Sequence, residues 1–284
     1  MEVINSVAAM TAWSNRRIRA GKTIALVPTM GCLHAGHVSL IQAAARLAEV
    51  VVVSLFVNPL QFGPTEDFSR YPRPFAEDCA VVSANQGGVL FAPEASSFYP
   101  TGFQTVVAVQ GLTAGLCGAS RPGHFDGVTT VVTKLFHAVK PNVAVFGQKD
   151  FQQLAVIKAM VRDLNWDIDI IGHPIVRDQD GLALSSRNRY LTESERQSAL
   201  CLVQALAKAR HLVGSGESDC PSIIARLRAQ ISTDPKVEID YLTIVDDTGL
   251  IPQARVDNHS VLAMAVRIGK TRLIDNGYLL HEES

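Results

Sequence analysis

The sequence has no excess of charge of either sign and no long apolar run. Its 26 basic and 27 acidic residues leave a formal net charge of −1, and no cluster of Lys or Arg indicates a nucleic-acid partner. The longest apolar stretch, Val50 to Val57, is far shorter than the roughly 20 residues of a membrane helix. Near the N-terminus, Arg16, Arg17 and Arg19 follow the apolar residues, which is the reverse of a secretory signal. We therefore expect neither a nucleic-acid nor a membrane partner.

Cysteine is scarce and shows no pairing pattern. The chain has five cysteines, an odd number, and no C-x-x-C motif. Scattered thiols are typical of a reducing compartment, so we expect a cytoplasmic protein without disulfides. A 284-residue chain with 47% hydrophobic residues is nevertheless long enough for a large core and more than one domain.

Several common catalytic and nucleotide-binding motifs are also missing. No G-x-G-x-x-G, G-x-S-x-G or H-E-x-x-H sequence occurs. Gly21-Lys22-Thr23 and Gly269-Lys270-Thr271 resemble the end of a Walker A loop, but neither has a glycine five positions before its own. A P-loop, a dinucleotide-binding fold of the usual signature and a zincin are therefore excluded as interpretations.

What is present is a strand-to-helix junction that carries two histidines. The apolar residues Ile24 to Val27 lead through a tight turn to His34, Gly36 and His37. A helix N-terminus presents free N–H groups and partial positive charge, which suit a phosphate, and two imidazoles at i and i+3 add donors on one face. Gly36 would let a nucleotide lie against the backbone. The pair can also be purely structural, or half of a metal site.

Two further segments support the nucleotide interpretation. Phe146 to Asp150 forms a second strand-to-helix junction and contains Lys149. Farther along, the segment 180–188 carries Ser185, Ser186 and Arg187, hydroxyls and a guanidinium suited to phosphate oxygens.

In this order the segments resemble the pantothenate synthetase family, in the nucleotidyltransferase superfamily with HIGH and KMSKS motifs. The resemblance covers nearly the whole chain and also includes 56–59 with Gln61-Phe62, Arg121 to Phe125, Gln152-Gln153 and Arg272 to Asn276. One departure is Cys117, where many members carry Glu, which puts any contact made by that carboxylate in doubt.

The resemblance implies an ATP-dependent ligase that condenses pantoate with β-alanine to pantothenate. The pantoate carboxylate attacks the α-phosphorus of ATP to give a pantoyl adenylate and pyrophosphate, and the β-alanine amine then expels AMP. The implied catalytic residues are His37, His34, Lys149 and Arg187, with His37 the better candidate for proton donation to the leaving group. The implied ATP contacts are Met30, Gly31, Cys32, Leu33, His34, Ala35, Gly36, His37, Gly147, Gln148, Lys149, Asp150, Val176, Leu184, Ser185, Ser186 and Arg187.

The remaining expectations concern pantoate, β-alanine, the metal and assembly. Gln61 and Gln153 match the family's pantoate contacts, Asn58 supports them, and Arg121 serves the pantoate or β-alanine end. Mg²⁺ accompanies ATP, with Asp78 as the candidate ligand. The family also implies a homodimer.

The pattern of apolar residues predicts an α/β fold, with a Rossmann-like parallel sheet in an N-terminal domain (1–175) and a smaller α+β domain (176–284) that can act as a lid. Strand-like runs occur at 24–27, 50–57, 89–91, 143–146 and 168–171, and helical spacing at 38–48, 75–84, 128–139 and 151–164. In the second domain, Thr192 and Glu195 form a capping box that predicts one long helix to about His211. A second helix follows Asp219, and strands are expected at 237–244, 261–266 and 272–274.

Three alternatives remain open at the level of sequence. A related nucleotidyltransferase would leave AMP or CMP on its product. A metal hydrolase would use His34 and His37 as ligands, although no third ligand lies nearby in the sequence. A non-catalytic nucleotide sensor would bind ATP without releasing pyrophosphate.

Overall fold

The computed structural model describes residues 1–64 and 66–281. The elements are β1 Glu2–Ile4, α1 Val7–Arg19, β2 Ile24–Thr29, α2 Ala35–Leu47, β3 Val50–Leu55, α3 Phe75–Ala84, β4 Val89–Phe91, α4 Ala95–Phe98, α5 Leu116–Ser120, α6 His124–Val139, β5 Val143–Gly147, α7 Phe151–Asp163, β6 Asp169–His173, α8 Glu193–Ala199, α9 Cys201–Gly214, α10 Cys220–Ile231, β7 Val237–Asp246, β8 Ser260–Ile268 and β9 Thr271–Tyr278. Short 3-10 turns cover Pro59–Gln61, Gln148–Asp150 and Ser186–Tyr190.

Within the described residues, six strands form a parallel sheet in the order β1-β4-β3-β2-β5-β6. Successive side chains of a strand point to opposite faces, and the core divides accordingly. Ile24 and Leu26 pack with α1, α6 and α7 on one face, whereas Ala25 and Val27 pack with α2 and α3 on the other. Covered faces explain why these strands are apolar throughout and confirm the predicted α/β class.

The C-terminal part contains an antiparallel sheet of three strands, β7-β8-β9, within the described ranges. The helices α8, α9 and α10 pack on it around a second core that includes Leu202, Ile223 and Leu262. This is the predicted α+β unit. The boundary near residue 175 stays a prediction, and β6 ends just before it at His173.

The structure corrects one predicted helix and adds helices that the sequence pattern did not predict. The long helix expected from Thr192 is divided into α8 and α9 at Leu200, whose amide bonds to the Gln197 carbonyl three residues back. No Gly or Pro occurs at this break between the two helices, so the sequence pattern did not reveal it. Helix α1 was not predicted at all, although Ser6 caps it by accepting a hydrogen bond from the Ala9 amide. No helix in the described parts of the chain is both long and apolar enough to cross a bilayer.

Candidate active site

One cavity lies beyond the carboxyl ends of β2, β3, β5 and β6. It is next to β2, from which the chain builds the sheet first towards β3 and β4 and then, on the other side, towards β5 and β6. Open parallel sheets bind ligands at such a point. Sixteen of the predicted site residues line this cavity: Met30, His34, Gly36, His37, Asn58, Gln61, Arg121, Gly147, Lys149, Asp150, Gln153, Val176, Leu184, Ser185, Ser186 and Arg187. Segments separated by more than a hundred residues in the sequence therefore meet around one space.

The remaining predicted residues do not line the cavity: Gly31, Cys32, Leu33, Ala35, Gln148 and Asp78. Cys32 and Leu33 are buried in the turn after β2, and the Ala35 side chain is exposed to solvent. The Gln148 side chain lies against Gly172 of β6 instead of the cavity. For the first five of these residues the predicted contact with ATP stays a prediction.

Asp78 holds the turn between β2 and α2. Its carboxylate accepts hydrogen bonds from the amides of Cys32 (2.9 Å) and Leu33 (2.7 Å), and the residue is only 2% exposed. The turn needs this support because both Gly31 (φ 87°) and Cys32 (φ 53°) have left-handed backbone conformations, which is unfavourable for Cys32. Asp78 is thus buried, its carboxylate accepts two backbone amides, and its predicted role as a magnesium ligand stays a prediction.

The two histidines form a reciprocal cap at the start of α2. The Gly36 amide donates to His34 Nδ1 (3.2 Å), and the His34 amide donates to His37 Nδ1 (3.3 Å). An Nδ1 that accepts a hydrogen bond carries no proton, so in each neutral ring the proton is on Nε2. Two of the helix's free amides are therefore used by imidazoles, and the Nε2–H groups take their place as donors.

Gly36 lines the cavity and also leaves space for a neighbouring ring. A Cβ atom there would lie 2.9 Å from His34 Cε1 and 3.0 Å from Nδ1. The missing side chain thus makes room for the His34 imidazole, which lies against this backbone.

The pKa values of both histidines lie below neutral pH, so the rings are uncharged there. Burial is the main cause that lowers the pKa of His34 to about 4, and the positive charge of Lys149 adds to it. Burial and the neighbouring His34 lower the pKa of His37 to about 3. The rings are close, with centroids 4.1 Å apart. The pair therefore donates hydrogen bonds from Nε2–H without carrying charge.

Positive charge comes from the other two segments. The ammonium group of Lys149 makes no hydrogen bond or ion pair with any residue in the described ranges, and it lines the cavity. Arg187 forms a bidentate pair with Asp67, from Nε to Oδ2 (3.0 Å) and from Nη2 to Oδ1 (2.9 Å). Burial alone would raise the pKa of Asp67, but the hydrogen bonds and charge of Arg187 outweigh it and keep that pKa below its usual value.

The predicted pantoate residues form an amide chain with a defined direction. Asn58 Nδ2 donates to the Gly127 carbonyl (3.0 Å) and to Gln61 Oε1 (3.1 Å), while Asn58 Oδ1 accepts from the Tyr99 hydroxyl (3.0 Å). A carbonyl can only accept, so the amide orientations follow. Gln61 Nε2 consequently lies at Met30 Sδ (3.2 Å), at the cavity wall.

Arg121 and His124 both hold the main chain of Gln61. Arg121 Nη2 (3.1 Å) and His124 Nδ1 (2.8 Å) donate to the Gln61 carbonyl. The His124 Nε2 atom then accepts from Arg121 Nη1 (2.9 Å), and Glu66 pairs with the guanidinium (2.7 Å). Both nitrogens of His124 are occupied, and burial, with the charge of Arg121, lowers its pKa to about 4. Neither ring nitrogen of His124 is therefore left without a hydrogen-bond partner.

The two neighbouring glutamines of α7 have different surroundings. Gln153 lines the cavity, and its side chain makes no hydrogen bond to a described residue. Gln152 is the buried one: Oε1 accepts from the Cys117 amide (2.9 Å), and Nε2 donates to the carbonyls of Leu112 (2.8 Å) and Gly115 (2.9 Å). About 100° of helical rotation separates them, so one faces the protein and the other the cavity.

Sequence reasoning missed the residues that support the site: Glu66, Asp67, Tyr71, Tyr99, Gln152, Asp275 and Asn276. Tyr71, for example, shares a hydrogen bond with Ser186 (3.1 Å) across the two parts of the chain. No local motif marks such partners. Only the resemblance blocks containing Gln152 and Asn276 pointed near them.

The described residues contain no group of three or more His, Cys, Asp or Glu side chains that could hold a metal ion. A hydrolase centre built on His34 and His37 therefore lacks a third protein ligand among the described residues. One carboxylate, that of Asp150, lines the cavity next to Lys149. That set fits a Mg²⁺ held mainly by phosphate oxygens and water, as is usual for this ion.

Comparison with known proteins gives consistent results. A family model described as pantoate-beta-alanine ligase matches residues 2–278. Pantothenate synthetase of Geobacter sulfurreducens is 54% identical over 287 residues, covering 100% of both chains. The protein of the same name from Heliobacterium modesticaldum is 53% identical over 276 residues, covering 97% of this chain and 98% of that protein.

Solved structures agree with this result. Pantothenate synthetase from Thermus thermophilus superimposes with a TM-score of 0.94 at 43% identity, covering 99% of this chain and 100% of that one. Pantoate-beta-alanine ligase from Francisella tularensis, solved with beta-gamma ATP and beta-alanine, has a TM-score of 0.84 at 34% identity, covering 98% of each chain.

Proposed function

This chain belongs to the pantoate-beta-alanine ligase family, and from that premise we propose that it joins pantoate to β-alanine, at the expense of ATP, in the cavity described above. The observation that carries the proposal is the convergence of His34, His37, Lys149 and Arg187 with Gln61 and Gln153 around one space. Donors suited to phosphate and amides suited to a small acid then lie around the same space, in which a carboxylate would attack a phosphorus atom.

ATP would bind along the turn after β2, the Lys149 turn and the Leu184–Arg187 segment. The Nε2–H groups of His34 and His37 would donate to phosphate oxygens, and the ammonium of Lys149 would neutralise the charge that develops on the leaving pyrophosphate. The Nη1 edge of Arg187, which no described carboxylate occupies, would bind a further phosphate oxygen.

Pantoate would lie between the amides and the apolar wall of α6. Gln61 Nε2 and the free Gln153 amide would bind its carboxylate and hydroxyls, since amides both donate and accept. Its two methyl groups would pack against Val128, Val131 and Leu135, which line the same cavity.

The reaction proceeds in two balanced steps. The pantoate carboxylate attacks the α-phosphorus, and the bond to the β-phosphate breaks to release pyrophosphate. The β-alanine amine then attacks the acyl carbon of the adenylate, loses a proton and expels AMP. No enzyme nucleophile is needed, so the protein acts by positioning and by stabilising charge.

Three finer points belong to the same proposal. Mg²⁺ would bind together with ATP and be held by phosphate oxygens. Asp150 would supply a carboxylate, since it lines the cavity. The enzyme would act in the cytoplasm, which suits five unpaired cysteines. It would form a homodimer, as expected from the family, which light scattering during gel filtration will test.

The decisive experiment supplies ATP, pantoate and β-alanine together and measures pyrophosphate, AMP and the amide product. We expect equal amounts of all three. Without β-alanine, one equivalent of pyrophosphate and a tightly bound adenylate should form. A stable nucleotidylated product without amide would instead support the related nucleotidyltransferase, and ATP binding without pyrophosphate would support a sensor.

A further inference from the structure

Strand β9 of the C-terminal sheet contacts the main chain of the Lys149 turn. The Nδ2 atom of Asn276 donates to the carbonyl oxygens of Gln148 (3.1 Å) and Lys149 (2.9 Å). Asn276 is only 3% exposed. One buried side chain from the second part of the chain therefore fixes two consecutive peptide groups of the first part.

The preceding residue, Asp275, contacts the other phosphate-binding segment. Its carboxylate forms a bidentate pair with Arg177 (2.7 and 2.9 Å), and Arg177 also donates to the Gly181 carbonyl (3.1 Å). Arg177 pairs with Ala183 in an isolated bridge, one residue before the segment Leu184–Arg187. Asp275 Oδ1 additionally accepts from the Asn276 amide (2.8 Å).

Asp275 and Asn276 are neighbours on β9 but contact two different loops, because side chains alternate along a strand. Successive side chains point to opposite faces, so Asp275 reaches the hairpin at Arg177 while Asn276 reaches the turn at Lys149. Both are buried, and a buried hydrogen bond between rigid elements tolerates little displacement. The strand thus sets the distance between the two segments.

We propose that Asp275 and Asn276 are positioning residues for adenylate formation, acting through Lys149 and the Leu184–Arg187 segment. This inference rests on the function proposed above, in which those segments bind the triphosphate. Without Asn276, the carbonyls of the three-residue turn lose their donor and Lys149 is no longer held at a fixed position. A displacement of about 1 Å at a reacting centre can reduce a rate about 100-fold.

The test separates the two half-reactions. In Asn276→Ala we expect the rate of adenylate formation, measured as pyrophosphate released in a single turnover, to fall about 10- to 100-fold. The second half-reaction, started with preformed pantoyl adenylate and β-alanine, should change less than threefold because no triphosphate is involved. Equal loss in both half-reactions would overturn the proposal.

Asn85→Ala is the matched control. Its Nδ2 also donates to a main-chain carbonyl, that of Val81 (2.8 Å), but it lies at the end of α3 and does not line the cavity. We expect wild-type rates for this variant. Should Asn276→Ala not fold, Asn276→Leu removes the donors while keeping the volume. The rates of the two half-reactions measured in this variant then test the proposal in the same way.

A double-mutant cycle tests whether Asn276 acts through Lys149. If it does, Lys149→Ala/Asn276→Ala should form adenylate at the rate of Lys149→Ala alone, whereas independent effects would multiply and overturn the proposal. A wild-type enzyme that releases no pyrophosphate would refute the proposed function itself. An active wild type with a fully active Asn276→Ala would refute only the positioning role.

Discussion

At the scale of single residues, His34 and His37 combine helix capping with the presentation of donors. Each ring accepts a backbone N–H at Nδ1, which leaves the proton on Nε2. The cap thereby determines the tautomer that the proposed chemistry requires. A residue that supplied only the cap, such as Ser, would leave no donor for a phosphate.

Replacing His37 should impair chemistry more than stability. We expect His37→Ala to slow adenylate formation about 100- to 1000-fold, the usual loss for one donor to a developing negative charge. Loss of a helix cap typically costs about 0.5–2 kcal/mol of stability. Pyrophosphate release in a single turnover and urea unfolding measure the two effects. His211→Ala, at an exposed position of α9, is the control, and full activity in His37→Ala would contradict the assigned role.

The buried histidines should also make stability depend on pH. The pKa values of His34 (about 4), His37 (about 3) and His124 (about 4) lie below the ordinary value of 6.5. Below pH 6.5 the unfolded chain binds protons that the folded chain does not, so the free energy of unfolding should fall as the pH decreases from about 6.5 towards 4. The NMR signals of these three histidines in the ligand-free protein should accordingly not titrate between pH 5.5 and 8. Midpoints near 6.5 would show that the rings are not buried as described.

At the scale of secondary-structure elements, α6 and the turn Pro59–Gln61 are in close contact through Gly127. A Cβ atom there would lie 2.3 Å from the Leu60 carbonyl oxygen and 2.6 Å from the Gln61 amide nitrogen. The Asn58 side chain bonds to the Gly127 carbonyl at the same contact. Packing between helix and turn therefore decides where the amides proposed to bind pantoate lie.

Gly127→Ala should separate these elements. We expect a loss of about 1–3 kcal/mol of stability, typical of overpacking, together with a KM for pantoate that rises more than the KM for ATP. Thermal unfolding and initial-rate kinetics measure both. Gly214→Ala, at the end of α9 where a Cβ would meet nothing within 4 Å, should be neutral or slightly stabilising. An unchanged KM for pantoate in Gly127→Ala would argue against the role of the turn.

At the scale of the whole molecule, contacts between the two parts of the chain converge on the proposed phosphate site. Arg187 pairs with Asp67, Ser186 with Tyr71, and Asn276 with the Lys149 turn. ATP would add its own contacts to both parts. Its binding should therefore stabilise the molecule as one unit, and the second part would close over the nucleotide.

An ATP analogue that is not cleaved between the α- and β-phosphates should raise the melting temperature. At 100 times Kd the expected stabilisation is about 2.7 kcal/mol. Arg187→Ala should need a higher analogue concentration for the same shift. Arg226→Ala, an exposed residue of α10 distant from the cavity, should behave as wild type. Identical shifts in Arg187→Ala and wild type would remove Arg187 from the ATP site.

Local patterns were sufficient for much of the fold. Runs of Val, Ile and Leu identified β2 to β6 because a sheet covered on both faces has no polar side, and Thr192 with Glu195 marked the start of α8. The break at Leu200 was missed, since helical periodicity continues through it. The hydrogen bonds of Asp78 to the Cys32 and Leu33 amides were not predicted, because a carboxylate near a turn gives the same sequence pattern whether it binds an ion or backbone amides.

The sequence by itself determined the family, through a resemblance that implies the ligase activity, and the pattern of its apolar residues determined the α/β architecture. Only the tertiary structure decided which atoms of those residues are available. The capping of α2 directs the Nε2–H groups of His34 and His37, and the burial of Gln152 leaves Gln153 free. The tertiary structure likewise decides the pairing of Arg187 with Asp67 and the contact of Asn276 with the Lys149 turn. Apart from the local cap of α2, these hydrogen bonds join residues far apart in the chain, so their geometry exists only once the sheet and its helices have packed together.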